Sequence, residues 1–260
     1  MTAQGKQYHI QLDRTLVEGA EYVLLPGDPS RVATTALYID PNARQLSSHR
    51  EYTTYLGKLK NRNFLVCSTG IGGPGTAIAL EELATIGLKY FVRIGTAGAI
   101  QPYINVPSLV ISLGAVRLEG TSTHYAPIEY PAVADFELTN AIVQAARDLH
   151  LEHHIGITAS SDSFYPGQER YDSFSQYVIR RFKGSLREWQ QLNVLNYEME
   201  AATLFTVIRT FGLQAACVCS SIVNRSSEEH VDQDILEIAE KNLAKAAKKA
   251  LVIHMEEQSP

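Results

Sequence analysis

The stretch Phe91-Val92-Arg93-Ile94-Gly95-Thr96-Ala97-Gly98 decides how the chain is read. Its first half is an apolar, strand-forming run and its second half is glycine and small residues, the pattern of a strand that ends in a turn. Arg93 interrupts the apolar run. An unpaired guanidinium inside a strand is costly, so Arg93 needs a buried acid, for which Glu81 is one candidate, or an anion from outside. The adjacent Gly-Thr-Ala-Gly turn favours the anion, because glycine lets backbone N–H groups come close and a guanidinium fork matches phosphate oxygens.

Similar apolar runs recur at residues 22–25, 64–68, 109–113, 154–159, 193–196 and 215–223. Helix-like stretches at 76–86, 139–149, 199–211 and 235–255 lie between or after them. This alternation predicts an α/β chain with a mostly parallel central sheet flanked by helices. No repeat, low-complexity tract or linker divides residues 1–260, so a single domain is expected. Residues 161–189 are aromatic and charged with few core-type runs, and read as an insertion shaping a site or as a helical excursion.

Composition narrows the function classes. The chain is 45% hydrophobic and 20% charged with a formal net charge of -5, which argues against a nucleic-acid coat or a membrane-surface protein. Three cysteines without a CxxC pair argue against a disulfide framework or a zinc site; Cys217 and Cys219 read as one face of a buried strand. Residues 1–9 lack an apolar signal core and no run reaches transmembrane length, so a cytoplasmic location is expected.

Open α/β sheets bind ligands beyond the carboxyl ends of their strands. The residues that follow the apolar runs there are Pro26-Gly27-Asp28-Pro29-Ser30-Arg31, Thr69-Gly70-Ile71-Gly72-Gly73, Ser160-Ser161-Asp162-Ser163-Phe164, Tyr197-Glu198-Met199-Glu200 and Asn224-Arg225. Gly27 and Arg31 suit an anion, although Pro-Gly-Asp-Pro is also simply a turn. Glu198 and Glu200 could be dipole partners at a helix start, or could bind a diol with Met199 against a sugar face. Gln168 and Arg170 could read the acceptors and donor of a pyrimidine with Phe164 against the ring, or could belong to a surface loop. The glycines lack the Gly-Lys-Ser/Thr ending of a nucleoside triphosphate loop, no GxGxxG follows a strand, and no nucleophile elbow or metal spacing is present.

In order, PGDPSR (26–31), SSHREYTTY (47–55), CSTGIGGPG (67–75), RIGTAGAIQP (93–102), ASSDSFYPGQERYD (159–172), FKGS (182–185), NYEMEAATL (196–204) and IVNR (222–225) resemble the bacterial uridine phosphorylases of the nucleoside phosphorylase-I superfamily. The resemblance runs from about His9 to the last helix-like stretch. It implies a mixed, distorted central sheet and a hexamer of dimers. It also implies reversible phosphorolysis of uridine to uracil and ribose 1-phosphate, with inorganic phosphate as co-substrate and no required cofactor.

By matched motif, Gly27, Arg31, Arg93 and Thr96 would hold phosphate, with Arg50 lent by a neighbouring subunit. Met199 and Glu200 would hold ribose, with His9 supplied across the dimer. Gln168 and Arg170 would read uracil, Phe164, Ile222 and Val223 would line its pocket, and Arg225 would fix the surrounding loop. Glu51 and the Ile71 carbonyl would be the remaining ligands of a potassium ion between subunits, since Gly75 replaces a serine that relatives use. Ala97 also departs from the usual Gly-Thr-Thr-Gly, and residues 226–234 lack the usual proline of the flap. Purine-cleaving relatives carry a Ser-Asp where this chain has Asn224-Arg225, which favours pyrimidines. A nucleosidase, a purine phosphorylase and a non-catalytic nucleoside binder are the competing expectations, and deoxyuridine or thymidine are further substrates to consider.

Overall fold

A computed structural model describes residues 5–227 and 229–258. The Phe91 run is the core of β5 (Tyr90–Ala99), which lies between two parallel neighbours, β1 (Tyr22–Leu25) and β10 (Gln214–Asn224). Arg93 stands opposite Leu25 on one side and Cys217 on the other. β1 ends at Leu25, beside Arg93, whereas β5 and β10 run on together to Ala99 and Asn224. The glycine turn expected after Ile94 is thus corrected to continuous strand, with Gly95 and Thr96 paired to Cys219 and Ser220.

The rest of the sheet is mixed. β4 (Arg62–Cys67) extends it in parallel beyond β1, and β2 (Arg44–His49) and β3 (Tyr52–Leu59) add an antiparallel hairpin at the edge. On the other side β10 pairs antiparallel with β6 (Leu109–Leu118), β6 parallel with β8 (His153–Ser161), and β8 parallel with β9 (Val194–Glu198). β9 returns to β5 through an antiparallel pair at Gly98 and Ala99, closing part of the sheet into a ring. The short β7 (Ala132–Val133) pairs with β6. The mostly parallel sheet expected from the alternation is thus corrected to a mixed, distorted one, in which register shifts in β6, β9 and β10 let the strands curl.

Alternation along each strand builds two cores. Val23, Leu25, Phe91, Cys217 and Cys219 face α2 (Gly73–Thr85) and α5 (Ala201–Thr210). Leu24, Val92, Ile94, Ala216 and Val218 face α1 (Ser30–Ile39), α3 (Phe136–Asp148) and α6 (Gln233–Glu257). By the same period Arg93 points towards α5, and Thr96 towards α1 and α6. The three cysteines are free and buried, and Cys217 and Cys219 share a face with sulfurs 3.9 Å apart. Among the described residues no helix is long and apolar enough to cross a membrane.

Residues 161–189 combine both expectations: irregular chain with two single-turn segments, then α4 (Ser185–Gln191). The hairpin of β2 and β3 and helix α1 lay outside the expected elements. The hairpin turns at Arg50, whose φ of 55° is not announced by glycine or asparagine, and α1 starts directly from the Pro26–Ser30 turn.

At the end of α6, His254 is buried against Tyr22 and Tyr90, and its Nδ1 lies 3.0 Å from the Tyr22 hydroxyl. Burial pushes its pKa below the ordinary 6.5, and Asp135, Glu257 and Glu137 only partly offset this. The unfolded chain then takes up the proton more readily, so this site favours folding above about pH 6.5 and loses that contribution as the pH falls. Urea unfolding at fixed protein concentration should show a smaller stability loss from pH 7.5 to 5.5 in His254→Gln than in wild type. Equal losses would remove His254 as a source of acid sensitivity.

Candidate active site

Arg93 is almost fully buried and is held by two acids from the β9–α5 junction. Its Nε donates to Glu198 Oε2 at 2.9 Å, and its Nη2 pairs with Glu200 Oε2. Burial opposes the positive charge, and the neighbouring Glu200 carboxylate more than restores it, so Arg93 stays protonated. An acid partner was one of the two sequence readings, but Glu81 is not that partner: it is exposed on α2, while Glu198 and Glu200 lie against the guanidinium.

Glu198 serves three elements. Its Oε2 also accepts from the N–H groups of Glu200 at 2.8 Å and Ala201 at 2.9 Å, satisfying donors at the start of α5, and its Oε1 accepts from the Ser160 hydroxyl of β8. Glu200 Oε1 accepts from Gly72 N at 2.6 Å, joining the start of α2 to the same cluster. Burial raises the pKa of Glu200, Arg93 lowers it and Glu198 raises it again, with a net rise. Close packing explains Gly95: a Cβ there would stand 2.9 Å from Arg93 Nη2.

The cluster forms the floor of a cavity of about 530 Å³, a size that suits a small molecule. The cavity brings Gly27, Arg31, Arg93 and Thr96 together with Phe164, Gln168, Arg170, Ile222 and Val223. Glu198, Met199, Glu200 and Ile71 complete its walls. Gln168 and Arg170 are buried, so they do not belong to a solvent-exposed surface loop, and the Arg170 guanidinium lies 4.3 Å from the centre of the Phe164 ring.

His9, Arg50, Glu51 and Arg225 do not line the cavity. His9 Nδ1 is 2.7 Å from Glu82 Oε1, and the His9 carbonyl is 2.9 Å from His49 Nδ1. Arg50 is exposed at the hairpin turn, next to Glu51. His9, His49, Arg50 and Glu51 thus belong to one edge of the molecule. Arg225 stands behind the wall and reaches the cavity through Glu229: its Nε is 2.6 Å from Glu229 Oε1, while Glu229 Oε2 pairs with Arg170 Nη1. Burial pushes the Glu229 pKa up, but hydrogen bonds from Arg170 and Arg225 outweigh it and hold the carboxylate below its ordinary range.

Sequence reasoning missed Glu229 and Asp172, which line the cavity, and had no signal for them beyond acidity in polar stretches. Asn224 does not face the ligand space; its Nδ2 donates to the carbonyls of Gln101 at 2.9 Å and Ile104 at 2.8 Å.

Comparison with known proteins identifies the family. Residues 21–253 match the family described as the phosphorylase superfamily. The chain belongs to the phosphorylase superfamily. It is 50% identical over 238 residues to a uridine phosphorylase of Escherichia coli, covering 92% of this chain and 94% of that protein. It is 50% identical to those of Haemophilus influenzae (85% and 88% covered) and Thermococcus kodakarensis (88% and 81% covered).

The triad makes a stability prediction. Arg93→Met leaves Glu198 and Glu200 buried without their cation and should destabilise the fold by about 3–5 kcal/mol. Adding Glu198→Gln and Glu200→Gln should recover much of that loss in denaturant unfolding. A variant as stable as wild type would show that the acids do not depend on Arg93.

Proposed function

We propose that the protein catalyses the reversible phosphorolysis of uridine to uracil and ribose 1-phosphate, in pyrimidine nucleoside salvage. One observation carries the proposal: a single cavity is lined by arginines with glycines, by carboxylates with a methionine, and by an amide with a guanidinium, the groups that phosphate, ribose and a pyrimidine need. Its relatives named uridine phosphorylase cover nearly the whole chain.

In this assignment Gly27, Arg31, Arg93 and Thr96 hold inorganic phosphate below the anomeric carbon. Glu200 accepts from the ribose hydroxyls and Met199 lies against the sugar face, with Glu198 holding Arg93 and the start of α5 in place. As the C1′–N1 bond lengthens, its electron pair goes to the uracil ring. Gln168 and Arg170 stabilise the resulting anion and Phe164, Ile222 and Val223 enclose it. Arg225 steadies Arg170 through Glu229. The phosphate dianion stabilises the cationic sugar, and one of its oxygens then bonds to C1′. Uracil leaves and takes a proton from solvent. Positioning and charge stabilisation supply the rate, and no covalent enzyme intermediate forms. Pyrimidine is favoured because Asn224-Arg225 stands where purine-cleaving relatives have Ser-Asp: Arg225, paired with Glu229, takes the place of the acid that would protonate a purine.

The assembly proposed is a cytoplasmic hexamer built from dimers, in which a neighbouring copy supplies Arg50 to phosphate and His9 to ribose. The edge that carries both residues supports this, since neither reaches its own cavity. Glu51 and the Ile71 carbonyl are the proposed ligands of a potassium ion at the same junction. That set is one hydroxyl short of the set in relatives, and a Cβ at Gly75 would stand 2.6 Å from Thr69 O. No step depends on the ion.

Ultraviolet-monitored turnover should require phosphate and favour uridine over inosine. Arg170→Ala should lower kcat/KM for uridine by about 10²- to 10³-fold. Cleavage at full rate without phosphate would make the protein a hydrolase, and faster inosine turnover would move it to purines. Co-refolding Arg50→Ala with Arg170→Ala should restore activity that neither variant has alone, because mixed dimers hold one intact site. No recovery would mean that Arg50 serves its own subunit or none.

A further inference from the structure

We propose that Glu240, on the second turn of α6, is the positioning residue for the phosphate-binding arginine Arg31. The proposal rests on the assignment of phosphate to Arg31 in the cavity. The Arg31 guanidinium has two neighbours. Nε lies 2.8 Å from Glu240 Oε1, and Nη1 donates to Thr96 Oγ1 at 3.5 Å. Glu240 does not line the ligand cavity, whereas Arg31 and Thr96 do. The acid therefore grips the guanidinium by its Nε and directs the terminal nitrogens towards Thr96, where an anion can take them.

The surroundings show why a grip is needed. Behind Arg31 lies a second cavity of about 290 Å³ between α1 and α6, lined by Pro26, Tyr38, Ile94, Leu243 and Ala244. Arg31 and Glu240 both border it. A long side chain beside empty space has other rotamers open to it, and ordering it when the anion arrives costs free energy. The Glu240 contact removes that freedom in advance. α6 also begins just after Glu229, so one continuous stretch places an acid on the base-reading Arg170 and another on the phosphate-reading Arg31.

Charge and positioning predict opposite signs. Glu240 is negative, and on charge alone its removal would strengthen anion binding. Positioning predicts the reverse. Initial rates at varied phosphate and uridine should show KM for phosphate rising by on the order of tenfold in Glu240→Ala, with KM for uridine and kcat at saturating phosphate within about twofold of wild type. Glu240→Gln keeps an oxygen that can accept from Nε and should return KM for phosphate to near wild type. Glu237→Gln, on the same cavity one turn earlier but without an ion pair to Arg31, should change nothing.

An unchanged or lower phosphate KM in Glu240→Ala overturns the proposal. So does an equal rise in Glu237→Gln, which would make the effect one of helix charge. Both outcomes leave the proposed function standing when wild type turns over uridine with phosphate. A wild type indifferent to phosphate removes both together.

Discussion

A guanidinium enclosed by the middle of a sheet has to be neutralised where it stands, and most of the site follows from how this chain does so. Arg93 lies on the central strand, between β1 and β10. Its charge persists because Glu198 and Glu200 meet it at the β9–α5 junction. Those contacts fix more than one side chain. Glu198 also carries the first N–H groups of α5 and the Ser160 hydroxyl of β8, and Glu200 holds Gly72 at the start of α2. Two strand ends, the middle of β5 and two helix starts are thereby tied around one cation, which helps hold them in a mutual geometry that loops alone would not maintain.

Topology then divides the cavity. Gly27 follows the end of β1, Arg31 opens α1, and Arg93 and Thr96 lie within β5, so the anion-binding groups come from the sheet and the first turn of the helix packed on it. The irregular segment after β8 supplies Phe164, Gln168 and Arg170, and the end of β10 supplies Ile222 and Val223. In the proposed reaction the charged co-substrate is held by the rigid part of the fold, and the base by residues brought in over it. Glu229 and Glu240 complete the arrangement from outside, each bound to one of the substrate-reading arginines. Arg31, Arg93 and Arg170 thus each meet an acid, which lets several arginines share a small space without repelling one another.

The sequence made the central strand legible because burial leaves a local imprint: Arg93 was conspicuous as a charge in an apolar run, although Gly95–Gly98, which read as a turn, continues the strand. The Arg93 partners were harder. Glu198 and Glu200 were visible as acids at a helix start, yet nothing local says that this junction folds against β5, and Glu81 is nearer in sequence. The antiparallel β5–β9 and β6–β10 pairs were invisible for the same reason, since pairing is a long-range choice. The hairpin of β2 and β3 carries polar residues on its exposed face and turns at Arg50 without glycine. Glu229 and Glu240 lie in stretches where acids are ordinary solvent-facing residues, and only the folded chain shows that each reaches an arginine.

A crystal structure with uridine and a phosphate analogue such as sulfate tests the central claim most directly. The expected result is an anion within hydrogen-bond distance of Arg31, Arg93 and Thr96, with uracil against Phe164 and bonded to Gln168 and Arg170. The Arg93 contacts to Glu198 and Glu200 should remain in place. An anion bound elsewhere, or a base placed against Arg93, would contradict it.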